Sequence, residues 1–357
     1  MRFIQIFCDV IDNYGDKGFC LRLARDLCFK GLKITLFCNN LEALNKIYDY
    51  KNDENENFSI KEWPVNGSSY QPAETVIEAF SCRPPEFVIS KFNESKCLVI
   101  NLDYLSAEDW IESCHCRPSF SNGYKSYFFF PGFTKNSGGL IIEDCFKKNI
   151  LEESAKKQVT DAELKVSLFT YENNNVYEFL KVISDSKRSF NITVFKGLPL
   201  DNINRLLNTD LRAGDIYQSN NIRFTVRDMV SQNEYDNLLI GSDINLVRGE
   251  DSIVRAMLCG KPFLWQIYRQ DDGAHITKLN AFYEKMEKFI PDQKENINLL
   301  RNYNLSYIGE GNYLDSLKFD DFYPEWCDIT KKWSSYLLSL GSLTNNLIYF
   351  IRINQVK

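Results

Sequence analysis

Residues 247–270, VRGEDSIVRAMLCGKPFLWQIYRQ, decide the fold of this chain. A strand-like run, SDINL, leads into them. They contain a run with helical spacing, SIVRAMLCG, followed by a short apolar run, PFLW. A strand, a tight turn, a helix and a second strand within about two dozen residues make one βαβ step. Because ligands of such units bind where a strand's carboxyl end runs into the next helix, the connecting residues RGEDS are candidate ligand contacts.

The RGEDS residues have two interpretations. Arg248 offers a forked donor to a phosphate, and Gly249 lets the backbone approach a ligand closely. Ser252 can cap the following helix. Alternatively, Glu250 and Asp251 simply begin that helix, because acidic side chains are electrostatically favoured in a first turn. Taken alone, the residues leave both interpretations open.

The composition narrows the class of protein. A chain of 357 residues predicts two domains. The net charge of −6 argues against a nucleic-acid partner and is compatible with a basic protein partner. No apolar run approaches the roughly 18 residues that span a bilayer, so we expect no membrane association. Asp9 and Asp12 interrupt the apolar N-terminal run, which therefore does not read as a signal peptide.

The eleven cysteines follow no repeating framework. Their odd number and scatter predict a reducing cytoplasm rather than a disulfide scaffold. Cys114-His115-Cys116 is the one cluster that resembles a metal site. It has no second CxxC or HxxxH pair, so a structural role is favoured and no metal site is predicted.

The N-terminal region predicts a Rossmann-like start. A β-type run, FIQIFCDV, is followed by the polar turn DNYGDKG, a helical run ending at Gly31, and a second strand at 33–38. The full G-x-G-x-x-G is missing, so a dinucleotide site is weakly supported. The turn carries two carboxylates, Asp12 and Asp16, which suit a general base or a binder of a cationic group. They can equally cap the helix or shape the turn.

A second alternation of strands and helices begins at residue 164. Strands are predicted at 164–171, 191–197 and 222–226, with a helix at 176–184. Alternation twice over predicts two α/β domains. We predict an N-terminal domain at 1–150, a C-terminal domain at 151–335, and a segment at 336–357 that docks back on the N-terminal domain. The polar run at 143–158 is the predicted interdomain linker.

Three stretches resemble a known family: DNYGDKGFCLRLARDL at 12–27, FFFPGF with GGL within 128–140, and SDINLVRGEDSIVRAMLCGKPFLWQIYRQ at 242–270. They are similar to the protein-arginine rhamnosyltransferases that modify elongation factor P. SLFTYEN at 167–173, QNEYDNLL at 232–239 and AHITKLNAF at 274–282 support the resemblance in the same order. It implies the GT-B fold, with two Rossmann-like domains facing each other across a cleft.

The resemblance also implies an activity. Such an enzyme transfers L-rhamnose from dTDP-β-L-rhamnose to an arginine of elongation factor P, with inversion at the anomeric carbon, and this activates the factor for relief of ribosome stalling at polyproline. The expected partners are that protein and the nucleotide sugar. No cofactor and no metal are expected, since no DxD motif stands beside a donor loop.

Carried over by position, the resemblance assigns roles to particular residues. The acceptor side is the DNYGD turn, with Asp16 as the base and Asp12 in support; the whole set is Asp12, Asn13, Tyr14, Gly15 and Asp16. In the donor site Phe169, Tyr171 and Gln232 frame the thymine. The remaining donor residues meet the diphosphate and the sugar, with Glu250 at a ribose or sugar hydroxyl and counted among the catalytic residues; they are Arg248, Gly249, Glu250, Asp251 and Ser252.

The chain departs from the family pattern at Gln266 and Arg269, where His and Pro are expected, and at Leu21, where Trp is expected. Three alternatives remain open. A GT-B enzyme could use another acceptor, and a non-catalytic module could merely bind a nucleotide sugar. A hydrolase would have to recruit His115 or His275, neither of which lies in a recognisable motif.

Overall fold

The computed structural model describes residues 2–9, 14–45, 55–65, 69–156, 163–172, 175–311 and 317–355. The chain forms two compact units, residues 1–143 with 340–357 and residues 144–339. Each unit has one largely parallel sheet with helices, as the two predicted alternations require. In the described part of the chain, no helix is both long and apolar enough to cross a membrane.

The first unit begins with an alternation of strands and helices. In chain order its elements are β1 (Phe3–Cys8), α1 (Tyr14–Phe29), β2 (Lys33–Cys38), α2 (Leu41–Asn45), β3 (Phe58–Glu62), β4 (Thr75–Ala79), α3 (Glu86–Ser95), β5 (Leu98–Leu102), α4 (Trp110–Cys114), β6 (Pro118–Ser119) and β7 (Ser126–Phe129). The strand order of its sheet, among the described residues, is β3-β2-β1-β4-β5-β7-β6. Of the strand pairs that the structure describes in this sheet, β6 with β7 is antiparallel and the others are parallel.

This order creates a switch point. From β1 the chain steps outward to β2 and β3, then returns to place β4 on the other side of β1. The strands are nearly continuous apolar runs because both faces of a parallel sheet are covered. β1 and β2, for example, each have five consecutive buried residues. Ligands of open α/β sheets bind at the carboxyl ends of the strands that flank such a point.

The second unit has the same alternation of strands and helices. Its elements are α5 (Asp144–Ser154), β8 (Leu164–Leu168), α6 (Val176–Ser184), β9 (Phe190–Phe195), α7 (Leu198–Leu207), β10 (Ile216–Ser219), β11 (Ile222–Arg227), α8 (Gln232–Gly241), β12 (Ile244–Arg248), α9 (Gly249–Leu258), β13 (Phe263–Gln266), α10 (Ala274–Phe289), a 3₁₀ turn (Pro291–Gln293), α11 (Lys294–Tyr307) and α12 (Phe319–Ser339). The sheet order is β10-β11-β9-β8-β12-β13, so the switch point lies between β8 and β12.

A last helix, α13 (Leu343–Gln355), returns to the first unit. Its buried face joins the same apolar cluster as α1, with Leu343, Leu347 and Phe350 in the core. Asn346 Nδ2 donates to the Gly138 carbonyl at 3.0 Å, which ties the helix to the glycine-rich loop after β7.

Two features differ from the sequence expectations. The region predicted as a linker, 143–158, contains α5, which buries Phe146 and Ile150 in the second unit; its polar face had masked this. The predicted boundary at residue 150 therefore falls inside a helix. The strand predicted over 164–171 ends at Leu168. The Phe169 N–H still donates to the Leu246 carbonyl at 2.9 Å, but the Tyr171 backbone groups bond to side chains instead of a neighbouring strand.

Candidate functional site

Arg248 is the centre of the site in the second unit. It is the last residue of β12, beside the end of β8, so it lies at the switch point of the sheet. Its guanidinium carbon lies 4.3 Å from the centroid of the Phe169 ring and 4.7 Å from that of Tyr171. Nη1 donates to the Thr170 carbonyl at 3.1 Å. Burial lowers the pKa of Arg248, but a guanidinium remains charged in proteins.

Two amide side chains fix the loop that carries these rings. Gln266 Oε1 accepts from the Tyr171 backbone N–H at 2.7 Å, and Gln266 Nε2 donates to the Glu172 carbonyl at 3.1 Å. Asn202 Nδ2 donates to the Tyr171 carbonyl at 2.9 Å. The backbone groups of a loop that has left the sheet are thus satisfied by side chains, which hold Tyr171 against Arg248.

The backbone conformation at position 249 requires glycine. Its φ is +66°, and a Cβ there would lie 3.2 Å from Tyr171 Oη. Trp265 Nε1 donates to the Gly249 carbonyl at 2.9 Å. A side chain at this position would be strained and would press on Tyr171.

The RGEDS residues do not form a separate loop. β12 runs to Arg248, and α9 begins at Gly249, so the N-cap is Arg248. The prediction that Ser252 caps the helix is therefore wrong, because Ser252 already lies in the helical turn. Glu250 and Asp251 lie in the first turn of α9, near its backbone N–H groups.

Further side chains complete the surroundings of this turn. Gln232 Nε2 lies 3.4 Å from Asp251 Oδ2. The Phe169 ring lies 5.3 Å from that of Tyr235 and 5.7 Å from that of Phe195. The structure thus brings the predicted donor residues together: Phe169, Tyr171, Gln232, Arg248, Gly249 and Asp251 by contact, and Glu250 and Ser252 on the same turn of α9.

In the first unit, Asp16 lies in the first turn of α1, after the end of β1. Tyr104 Oη donates to its Oδ2 at 3.3 Å. Burial raises the pKa of Asp16 to about 6, and the hydrogen bond from Tyr104 opposes that rise. A carboxylate with such a pKa is ionised at neutral pH and basic enough to accept a proton. Asp16 can therefore accept a proton at neutral pH.

The other acceptor-side predictions are resolved less fully. Asp12 and Asn13 lie outside the described residues. Tyr14 begins α1, and Gly15 is exposed in its first turn. Their roles stay predictions.

The two histidines have structural roles. His115 Nδ1 accepts from the Phe130 backbone N–H at 3.1 Å, and His275 Nδ1 accepts from the Gln270 N–H at 3.2 Å. Burial lowers the pKa of His115 to about 4. Among the residues with described positions, no three His, Cys, Asp or Glu side chains form a group able to hold a metal ion.

Sequence reasoning missed several residues of these sites. In the sequence, Gln266 stands out only as a departure from the expected family pattern, because its hydrogen bonds to the Tyr171 loop need the tertiary structure. Trp265 and Tyr104 were not singled out. Tyr104 follows β5 by two residues, so the rule that ligands meet carboxyl ends of strands would have pointed to it.

The chain is similar to known proteins along almost its whole length. A family model described as Elongation-Factor P (EF-P) rhamnosyltransferase EarP matches residues 4–352. The protein-arginine rhamnosyltransferase of Pseudomonas aeruginosa is 34% identical over 370 residues, covering 97% of this chain and 98% of the relative.

Solved structures give the fold. The structure that describes EarP-mediated arginine glycosylation of translation elongation factor EF-P matches with a TM-score of 0.62 and 22% identity over 99% of both chains. The glycosyltransferase VinC in complex with dTDP matches with a TM-score of 0.51 and 11% identity over 100% of both chains. The predicted GT-B fold class, with two parallel-sheet α/β domains, is confirmed.

Proposed function

Since the chain belongs to the EarP family of elongation factor P rhamnosyltransferases, and is thus a protein-arginine rhamnosyltransferase, we propose that it transfers L-rhamnose from dTDP-β-L-rhamnose to one arginine of elongation factor P. The transfer inverts the anomeric carbon and gives an α-linked product. The same family membership supports elongation factor P as the protein partner.

The observation that carries the donor assignment is the position of Arg248. Its guanidinium is stacked on Phe169 and Tyr171 at the start of α9, where backbone N–H groups point out of the helix. A fixed guanidinium and a helix N-terminus together bind phosphate groups well. The aromatic rings of Phe169 and Tyr171 give a nucleobase an apolar wall beside the diphosphate site.

The same groups support the departure of dTDP. As the bond between the anomeric carbon and the phosphate oxygen breaks, its electron pair stays on the phosphate. Arg248 and the α9 N-terminus meet that developing charge. This supports a reaction that needs no metal ion and no cofactor.

Asp16 supports the acceptor step. A guanidinium nitrogen attacks the anomeric carbon from the face opposite the leaving group, which explains inversion. A protonated guanidinium is a poor nucleophile with a pKa above 12. A carboxylate orients the group through paired hydrogen bonds and accepts the proton that the nitrogen loses as the new C–N bond forms.

The cysteines support a cytoplasmic location for this reaction. All eleven are free thiols, and several are buried in the cores, where a reduced cysteine behaves as a small apolar residue. Such usage is typical of a reducing compartment.

Intact-protein mass spectrometry tests the proposal. Purified elongation factor P is incubated with this protein and dTDP-β-L-rhamnose, with and without EDTA, and Asp16→Asn serves as the matched inactive variant. We expect one deoxyhexose on a single arginine with EDTA present, and a rate about 10²–10⁴ lower for Asp16→Asn. Donor binding without transfer would point to a different acceptor or to a non-catalytic module, and no donor binding would overturn the proposal.

A further inference from the structure

An aromatic surface stands beside the proposed base. Tyr104 is 39% exposed, and its ring stacks on Phe80 with centroids 4.5 Å apart and planes 24° apart. Phe80 follows β4, Tyr104 follows β5, and Asp16 follows β1. These are adjacent parallel strands, so their carboxyl ends bring the three residues to one edge of the sheet.

The backbone at Phe80 is strained. Phe80 has φ of +57° and Ser81 of +55°, in a left-handed region that bulky side chains rarely adopt. The Phe80 N–H donates to the Leu102 carbonyl at 2.7 Å, and its ring meets Phe19 of α1 at 5.2 Å. Strain of this kind persists where the surroundings impose it, and it clusters at functional sites. Here it places an aromatic ring directly against Tyr104.

Tyr104 is fixed at its other end as well. Its hydroxyl donates to Asp16 Oδ2 at 3.3 Å, and its backbone N–H donates to Asp103 Oδ1 at 2.8 Å. The ring is thus held by stacking, and the Tyr104 residue as a whole is 39% exposed. A planar cation stacks favourably on such a ring, and a guanidinium does so better than an ammonium.

We propose that the acceptor guanidinium stacks on the ring of Tyr104 and lies beside Asp16; this inference rests on the proposed function. Tyr104 and the Phe80 ring that supports it form what we call the platform. The hydroxyl of Tyr104 positions Oδ2 of the base, and its ring binds the planar cation. The platform makes the site selective for arginine over lysine, because an ammonium group lacks the flat face that stacks.

The hydroxyl also affects ionisation of the base. Among the described residues, Tyr104, from the loop after β5, hydrogen-bonds to Asp16, and Cys20, one turn along α1, interacts with it electrostatically. Phe80 and Phe19 contribute no charge. The hydrogen bond from Tyr104 favours the charged carboxylate, so its removal raises the pKa of Asp16 further.

Three variants separate these roles: Tyr104→Phe, Tyr104→Leu, and Tyr349→Leu as a control on an exposed tyrosine of α13. We expect Tyr104→Leu to raise the KM for elongation factor P roughly 3- to 30-fold, the range of an exposed to a desolvated cation–π contact. The Kd for dTDP should not change. Tyr104→Phe should keep KM near wild type and move the acid limb of the kcat/KM profile to higher pH.

Two measurements distinguish a failure of the platform proposal from a failure of the proposed function. A ¹³C NMR titration of the Asp16 carboxyl in the unliganded protein does not require turnover, and an unchanged titration in Tyr104→Phe would overturn the positioning role. If wild type binds elongation factor P without modifying it, the proposed reaction fails. Equal affinity of wild type and Tyr104→Leu for elongation factor P would overturn the platform itself.

Discussion

The fold makes ionisation of the Asp16 carboxyl group energetically unfavourable. Its pKa of about 6 in the folded protein lies above the usual 3.9 or so of an unfolded aspartate. Between these pH values the folded state binds more protons than the unfolded state, so the free energy of unfolding falls as pH rises. At pH values above the pKa of Asp16 in the folded protein, the charged carboxylate lowers the free energy of unfolding by its full amount. A carboxylate held in this way lowers the stability of the unit that carries it.

Asp16→Asn should therefore stabilise the protein at neutral pH. Since asparagine is neutral, we expect a gain of about 1–2 kcal/mol near pH 7.5, after allowing for the partial exposure of the carboxyl. The gain should be smaller near pH 5, where wild type is already largely protonated. Urea unfolding at both pH values measures it, with Asp271→Asn as an exposed control. Equal gains at both pH values would contradict the assigned cause.

At the scale of elements, the loop of the proposed donor site is held in part by a side chain from the end of β13. Gln266 accepts from and donates to successive backbone groups of the loop after β8, 95 and 94 residues away along the chain. These bonds hold the ring that stacks on Arg248.

Gln266→Leu should weaken nucleotide binding while sparing the fold. Leucine fills similar space but leaves the Tyr171 N–H and the Glu172 carbonyl without their partner, at about 1 kcal/mol or more for each bond. We expect the Kd for dTDP to rise roughly 10-fold or more by calorimetry. Gln218→Leu is the matched control, because its side-chain amide donates to the Asn220 carbonyl in an exposed turn. Unchanged dTDP affinity in Gln266→Leu would show that the hydrogen bonds of Gln266 do not support nucleotide binding.

At the scale of the whole molecule, the last helix, α13, packs in the first unit, which otherwise consists of N-terminal residues. α13 packs in the core with α1, and Leu347 is fully buried. The contact between Asn346 and Gly138 spans 208 residues of sequence. The first unit therefore cannot complete its core until the second unit has been synthesised.

Leu347→Ala should destabilise the first unit by about 2–5 kcal/mol, the cost of a cavity in a closed core. Hydrogen exchange should show lost protection in β1 and α1, with protection in β12 and β13 retained. Tyr349→Leu, on the exposed side of α13, should have little effect. Equal loss of protection in both units would show that they unfold as one.

The sequence by itself determined the two α/β alternations and, through the family resemblance, the GT-B class; it also placed the residues of the proposed donor site from Arg248 to Ser252 next to one another. Strand and helix periodicities are local, and Arg248 through Ser252 lie in one turn whose position follows from the neighbouring strand. It did not reveal α5, because a polar helix with few buried residues resembles a linker.

Only the tertiary structure decided that Tyr104 meets Asp16, 88 residues away, and that Gln266 holds the loop of Tyr171. It also decided the strained turn at Phe80, which no local pattern encodes. These contacts join the ends of strands that become neighbours only when the sheet forms, and the order of strands in a sheet is set by packing over the whole unit.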